Sequence, residues 1–476
     1  MADQPEILKP DLCVIGAGSG GLSVAAIGAA LGASVVLIER GEMGGECLNA
    51  GCVPSKALIA AASKAQALRD APQFGVFPAD HSVKFNAVMA HVRSVIAAIA
   101  PNDSAARFTA MGVTVIRAEA SFRDKRTVVA GGREIRARRF VIATGSSPAL
   151  PPIDGLADVP FLTNETVFQL DELPPHLAII GAGPIGMELG QAFQRLGSRV
   201  RLLEAASALP REDPELARFA RDALIADGVD LIENAKIEKI SNSGKGIRLA
   251  LGGADPRIIE VSHVLVAAGR RPNAAGLALE NAGIQHDRRG IAVDARLRTS
   301  NKRVYAVGDA ATGPQFTHAA NYQAGLVVRH ALFRLPVRAD YGAIPRVTYT
   351  RPEIASVGLT EAEARARHGK VEILRWPYSE NDRAQAERQI TGEIKVIMDR
   401  KGRVLGCGIA GAQAGELIAL WTLAVSHGLK AKDIAALVFA YPTLSEISKR
   451  AAVAFFAPKL QSRWLKLALK LGRIFG

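Results

Sequence analysis

Two stretches of this 476-residue chain repeat one another without a gap at an offset of 165 positions. Residues 12–39 read LCVIGAGSGGLSVAAIGAALGASVVLIE, and residues 177–204 read LAIIGAGPIGMELGQAFQRLGSRVRLLE. Each carries GxGxxG straight after a short apolar run, so Gly16, Gly18, Gly21 and Gly32 align with Gly181, Gly183, Gly186 and Gly197. In a strand–turn–helix the first glycine makes the tight turn, the second lets backbone approach a pyrophosphate, and the third lets helix pack on strand. The helix N-terminus then receives the phosphates. Glu39 and Glu204 close the second strand of each unit, where a carboxylate accepts hydrogen bonds from an adenosine ribose. Glu204 therefore favours NADH over NADPH. One such motif is a weak signal, whereas two in register specify two dinucleotide-binding units.

The repeat continues downstream. Residues 141–148 (VIATGSSP) and 264–272 (VLVAAGRRP) are second apolar strands ending in glycine, with Thr144 and Gly145 in the first and Gly269 in the second. The first unit holds 41 more residues than the second between its acidic strand end and this closing glycine. A third segment, TSNKRVYAVGDAATG (299–313), is an apolar run ending in Gly308 and Asp309 just before a helix begins, which suits another nucleotide contact.

Length gives a prior of about three domains. Lys+Arg 59 against Asp+Glu 46 leaves +13, which allows attraction to anionic partners without choosing one. Nucleic acid is not expected: Arg133, Arg136, Arg138 and Arg139 lack interleaved aromatics, and aromatic content is only 5%. The start MADQPEILKPD has acids and prolines where a signal peptide has a basic start and an apolar centre, so a cytoplasmic protein is expected. From Leu12 to Ile38 no residue is charged, but glycines divide that run into strand, turn, helix and strand rather than a membrane span.

Four cysteines (Cys13, Cys47, Cys52, Cys407) are too few for a secreted disulfide framework. Two of them sit in GGECLNAGCVPSK (44–56), beside a helix whose first turn contains Pro54. Cys52 at that helix N-terminus and Lys56 one turn on both favour thiolate over thiol. The Gly51 bend lets the two sulfurs meet. A metal site is not expected from two sulfurs without a third ligand, and a pair of ordinary buried cysteines is the plain structural alternative.

GGECLNAGCVPSK, the paired GxGxxG units, the ATG strand, YAVGDA and the late YPTLSE together resemble the pyridine nucleotide-disulfide oxidoreductases, the group of dihydrolipoamide dehydrogenase, glutathione reductase and mercuric reductase. The likeness runs from about residue 10 to about residue 456. It implies an α/β fold with two Rossmann-like nucleotide-binding domains, for FAD and NAD, plus an α+β dimerisation domain. The expected boundaries are 1–152 and 272–342 for the FAD domain, 153–271 for the NAD(P) domain, 343–458 for the dimerisation domain and 459–476 for a basic C-terminal helix. By the same resemblance FAD lies on Gly16, Gly18 and Gly21, with Glu39 on its ribose and Asp309 near its ribityl and pyrophosphate; Gly181, Gly183, Gly186 and Glu204 hold the nicotinamide cofactor. Cys52 faces the flavin and Cys47 is the interchange thiol that meets substrate. Lys56 lies by flavin N5 and pairs with Glu188. The helix starting near His318 points at the flavin pyrimidine edge, with a plain capping role as the alternative for His318 itself. A homodimer follows, each tail completing the other copy's disulfide site.

The sequence departs from its relatives at one informative place. Dihydrolipoamide dehydrogenase and glutathione reductase keep HPTxSE, a histidine with a glutamate five positions on; here the string is Tyr441-Pro442-Thr443-Leu444-Ser445-Glu446. A histidine near pH 6.5 exchanges a proton with a thiol at neutral pH, whereas a tyrosine near 10 is mainly a donor. No cysteine follows Cys407, so the vicinal pair with which mercuric reductases end is missing. The expected activity is transfer of electrons from NADH, through FAD and the Cys47–Cys52 disulfide, to a small acceptor: a dithiol/disulfide or other sulfur group, or a soft metal ion. An NADH dehydrogenase of quinone or diaphorase type and a membrane-docked redox sensor are the alternatives. In the tail, Lys459, Arg463, Lys466, Lys470 and Arg473 recur beside Leu460, Trp464, Leu467, Leu471 and Ile474, an amphipathic basic pattern that fits either peripheral contact with an anionic membrane or packing on the dimer.

Overall fold

The computed structural model describes residues 6–79, 82–244, 246–253, 256–460 and 463–473. They fall into two compact units, one of 1–181, 195–199 and 236–340, the other of 182–194, 200–235 and 341–476. The division runs through the second repeat.

In the first unit the leading repeat is a five-stranded parallel sheet in the order Val304–Ala306, Arg139–Ile142, Leu12–Ile15, Val35–Glu39, Thr114–Arg117. Leu12–Ile15 is buried along its whole length, as a central parallel strand covered on both faces must be. Helices Ser19–Ala30 and Thr317–Phe333 pack against each other and against this sheet. The uncharged run is therefore the strand, turn, helix and strand that its glycines indicate. Three antiparallel strands, Ala120–Asp124, Thr127–Ala130 and Arg133–Ile135, follow before the chain re-enters the sheet. The second repeat has the same plan: His176–Ile180 pairs in parallel with His263–Val266, and Lys236–Asn242, Ile247–Gly252 and Arg257–Val261 form the antiparallel excursion. The extra residues of the first repeat are mainly two long helices, Cys52–Asp70 and Phe85–Asp103.

In the second unit Arg199–Leu203 pairs in parallel with Asp230–Ile232. Downstream of residue 341 the chain makes a five-stranded antiparallel sheet in the order Arg346–Thr348, Glu353–Gly358, Val404–Gly411, Glu393–Met398, Glu372–Pro377. Helices Ala414–His427 and Glu446–Ala454 bury Trp421, Ile447 and Ala451 in its core. Two α/β nucleotide folds and an α+β domain are thus the architecture that the sequence implies.

Within the basic tail, the described residues are helical over Ala457–Leu460 and Arg463–Gly472. Leu467, Leu469 and Leu471 are exposed. The side chains of Lys459, Leu460, Arg463, Trp464 and Lys466, and all of Ile474, lie outside the described residues. Among the described residues no helix is long and apolar enough to cross a membrane.

Candidate active site

Both glycine loops have the geometry that their spacing demands. Gly16 has φ +102° and Gly181 φ +105°, and a Cβ on Gly181 would sit 2.7 Å from the Ala267 carbonyl oxygen; on Gly16 it would run into that of Ala143. A Cβ on Gly21 would collide with the Gly16 carbonyl, the close helix–strand packing of the third glycine. Over Gly18 the nearest atom to a Cβ is 4.0 Å away and over Gly183 there is none within 4 Å, so both loops leave room above the second glycine. Gly18 gives no side-chain cap and the first turn of Ser19–Ala30 has no acid, which leaves its backbone N–H groups to an anion. The correspondence extends to hydrogen bonds: Glu39 accepts from Ala17 N–H at 2.6 Å and Gly41 N–H at 2.7 Å, and Glu204 from Ala182 N–H at 2.8 Å and Ala206 N–H at 3.0 Å. These residues fit two dinucleotides. Thr144 and Gly145 are locked to Asn273, with Thr144 Oγ1 donating to its carbonyl at 2.6 Å and Gly145 O accepting its N–H at 2.9 Å.

Cys47 lies in the short helix Gly45–Asn49, and Cys52 is the first residue of helix Cys52–Asp70, with Pro54 buried in that first turn. Both are free thiols, and they hydrogen-bond each other. Cys52 Sγ is also 3.6 Å from Thr317 Oγ1, and Cys47 bonds Thr317 and Ser19. Cys52, Thr317 and Ser19 each open a helix, so three positive helix ends meet at the sulfurs. The bond to Cys52, then burial, raise the Cys47 pKa well above the usual thiol range. Cys52 is the more exposed of the two. Cys13 and Cys407 are buried, with thiol pKa values raised by that burial, which removes them from exchange chemistry.

His318 is the second residue of helix Thr317–Phe333 and stacks on Phe316, ring centroids 5.2 Å apart. Phe316 is the N-cap residue of this helix and its side chain makes no capping hydrogen bond. Lys56 Nζ is 3.4 Å from Ser55 Oγ, half-buried on the Cys52 helix.

A group that sequence reasoning missed stands beside Cys47. Glu46 takes both guanidinium nitrogens of Arg270, the Nη1 bond measuring 2.7 Å, and accepts from Asn164 Nδ2 at 2.7 Å. Arg270 Nε donates to Ser146 Oγ at 2.8 Å, which donates to Asp309 Oδ2 at 2.6 Å. Burial raises the Glu46 pKa despite the guanidinium. No sequence signal points to this pair, because 224 positions separate Glu46 from Arg270.

In the second unit Glu188 is buried on helix Pro184–Leu196 and accepts the Tyr349 N–H at 2.9 Å. Tyr441 is 70% exposed and donates its hydroxyl to Asp382 Oδ2 at 2.8 Å, which with the nearby carboxylate charge raises its pKa further. Glu446 opens helix Glu446–Ala454. Asp382, not Glu446, is the hydrogen-bond partner of residue 441, a pairing invisible in the sequence because 59 positions separate the two. The arginines read as a solvated surface carry local ion pairs: Arg133 with Glu6, Arg136 with Glu134 and Arg138 with Asp11.

A chain that builds two dinucleotide loops, seats a thiol pair on converging helix ends and adds an antiparallel domain is a nucleotide-dependent dithiol oxidoreductase by construction. Comparison with known proteins identifies the group: residues 10–324 match the pyridine nucleotide-disulphide oxidoreductases and residues 344–452 their dimerisation domain, and the chain belongs to this family. It is 36% identical to the mercuric reductase of Lysinibacillus sphaericus over 94% of this chain and 82% of that one. It is 38% identical to the dihydrolipoyl dehydrogenase of Thermus scotoductus over 93% and 97%. Among solved structures it resembles the Cu(II) complex of the HOCl-induced flavoprotein disulfide reductase RclA from Escherichia coli (TM-score 0.83, 29% identity, 92% of this chain and 98% of that one). It also resembles LpdA from Mycobacterium tuberculosis (TM-score 0.86, 28% identity, 94% and 100%). The protein is accordingly an FAD-dependent oxidoreductase that works with a pyridine nucleotide.

Proposed function

We propose that this enzyme oxidises NADH and delivers the electron pair through Cys47 and Cys52 to an acceptor that needs no proton from the protein, a soft metal ion or a disulfide with an acidic leaving thiol. The observation that carries this reading is the pair Tyr441–Asp382: residue 441 stands where the resemblance expects a base, yet its hydroxyl proton is committed to a carboxylate. A mercuric reductase among the relatives and a Cu(II) complex among the similar structures are in keeping with a soft acceptor.

Gly16, Gly18, Gly21, Glu39, Thr144, Gly145 and Asp309 would hold FAD. Gly181, Gly183, Gly186, Glu204 and Gly269 would hold the nicotinamide nucleotide, and the carboxylate of Glu204 supports NADH, since it opposes a 2′-phosphate. Bound FAD supplies a two-electron relay between a nicotinamide hydride and the sulfur facing it. Reduction opens the Cys47–Cys52 bond; one proton goes to Cys47 and Cys52 carries the negative charge beside Lys56 and the helix ends. With a disulfide acceptor, Cys47 gives its proton to solvent as its sulfur attacks, one thiolate departs, and Cys52 then attacks Cys47, expelling the second thiolate and restoring the intramolecular bond. Lys56 and Glu188 would form the ion pair between the cofactor sites, His318 would open the helix aimed at the flavin, and Tyr441 and Glu446 would enter the disulfide site of a second copy in a homodimer.

The test is an anaerobic titration of the purified holoprotein with NADH, following visible absorption, for the parent and for Cys47→Ser. A long-wavelength thiolate band after two electrons, with disulfide or metal turnover abolished in Cys47→Ser, is the expected result. Bleaching without that band, with quinone turnover spared in Cys47→Ser, would replace this reading by a direct NADH dehydrogenase. Negligible steady turnover with every acceptor would replace it by a redox sensor.

A further inference from the structure

The second repeat's closing strand delivers one side chain into the thiol segment. Arg270 opens the short strand Arg270–Pro272, which pairs antiparallel with Ser146–Pro148, and that pairing fixes its backbone at the end of the first repeat's closing strand. Only 17% of its side chain is exposed. Its guanidinium forks onto Glu46, donates from Nε to Ser146 Oγ and from Nη2 to the Ser146 carbonyl at 3.0 Å, and lies 3.6 Å from Asp309 Oδ2. Asn164 completes the cage, bonding Glu46 and, at 3.1 Å, the Ala50 carbonyl between the two cysteines. The whole segment 46–50 is therefore held at one end by Arg270 and at the other by Asn164.

The electrostatics give this clamp a second consequence. Glu46 is the residue before Cys47, and Glu165 and Asp309 add negative charge around it. Cys47 has Cys52, Thr317 and Ser19 as its partners, with Lys56 one turn along the Cys52 helix and His318 next to Thr317 in the sequence of its helix. An acid beside a thiol opposes its ionisation unless a cation cancels it. Arg270 is the cation placed to do so, in the bidentate geometry at which arginine is most effective.

We propose that Arg270 is a positioning residue for the dithiol: it clamps the Cys47-bearing helix to Ser146 and Asp309 and cancels the Glu46 charge that otherwise opposes ionisation of the thiol pair. This rests on Cys47 and Cys52 being the redox pair. The test uses holoprotein reduced anaerobically by one equivalent of NADH, with the long-wavelength thiolate absorbance followed from pH 4 to 9. Arg270→Gln should move the midpoint of that titration upward by about one unit. Adding Glu46→Gln to it should return the midpoint to the parent value. Glu46→Gln alone should move the midpoint downward, which keeps the idea testable where Arg270→Gln fails to retain flavin. A parent that shows the band with unshifted midpoints in these variants overturns the role of Arg270. A parent without any band overturns the dithiol relay instead, so the two failures are separable.

Discussion

At the scale of single residues, the proposed acceptor preference rests on Tyr441. A general acid or base accelerates proton transfer by roughly 10²–10⁴-fold when its pKa lies near the working pH. Tyr441 ordinarily titrates near 10, and Asp382 moves it further up, so between pH 6 and 9 it gains or loses no proton. Turnover with the physiological acceptor should accordingly show no limb assignable to residue 441 in that range. Tyr441→His restores a titrating group, and turnover with a dithiol couple such as lipoamide should rise by about tenfold or more, with a new limb near pH 6.5. An unchanged rate would remove proton transfer as the reason for the acceptor preference. Asp382→Asn should bring the phenol back toward its ordinary range, detectable as an earlier rise of tyrosinate absorbance relative to the Asp382→Asn/Tyr441→Phe double variant.

At the scale of elements, the sequence was most legible where backbone geometry dictates residue type. Gly16 and Gly21 are readable because a Cβ there meets backbone, and Cys52 because a helix N-terminus and its proline have recognisable spacing. Glu46–Arg270 and Tyr441–Asp382 were not readable, since their partners come together only through strand pairing and packing across 224 and 59 positions. The glycines give a graded expectation. Gly21→Ala forces a Cβ into the Gly16 carbonyl and should yield protein that loses its yellow colour on gel filtration. Gly183→Ala meets open space, so the fold should hold while the KM for NADH rises about tenfold, equivalent to roughly 1.4 kcal/mol. The helix Pro214–Ala226 shows another cross-element device. Lys395, 2% exposed, binds Asp213 at 2.8 Å, Glu215 at 3.0 Å and Glu361 at 2.9 Å. The hydrogen bond from Arg375, then Lys395, lowers the Glu215 pKa to about 2. A carboxyl depressed in the folded state stabilises above its unfolded pKa, about 4.3, and loses that contribution as pH falls through 2. Lys395→Met should therefore lower Tm most at pH 7, where three acids are left without their shared cation, and by less at pH 3, between the folded and unfolded pKa values, where part of the contribution remains. Calorimetry at the two pH values checks this.

At the scale of the whole molecule, the dimerisation domain bears on function through what it leaves uncovered in the single chain. Val438 is 96% exposed and Leu437 43%, three and four positions before Tyr441, and together they make one apolar stretch ahead of the residue expected to reach another copy's thiols. Exposed aliphatic residues so close together in a domain of this kind are what a subunit interface covers. Val438→Glu would bury a carboxylate against apolar surface on association, at a cost of several kcal/mol. Sedimentation velocity should show the parent as a dimer and this variant as a monomer. Because the FAD loop, the thiol pair and Arg270 all belong to the first unit, the monomer should keep its flavin and its long-wavelength band on reduction by NADH. On the proposed function, turnover of a disulfide or metal acceptor should fall to background, since Tyr441 and Glu446 would no longer enter the disulfide site of a second copy. A monomeric variant that retained full acceptor turnover would show that Cys47 and Cys52 work without those residues, and the acceptor preference would then have to originate in the first unit alone.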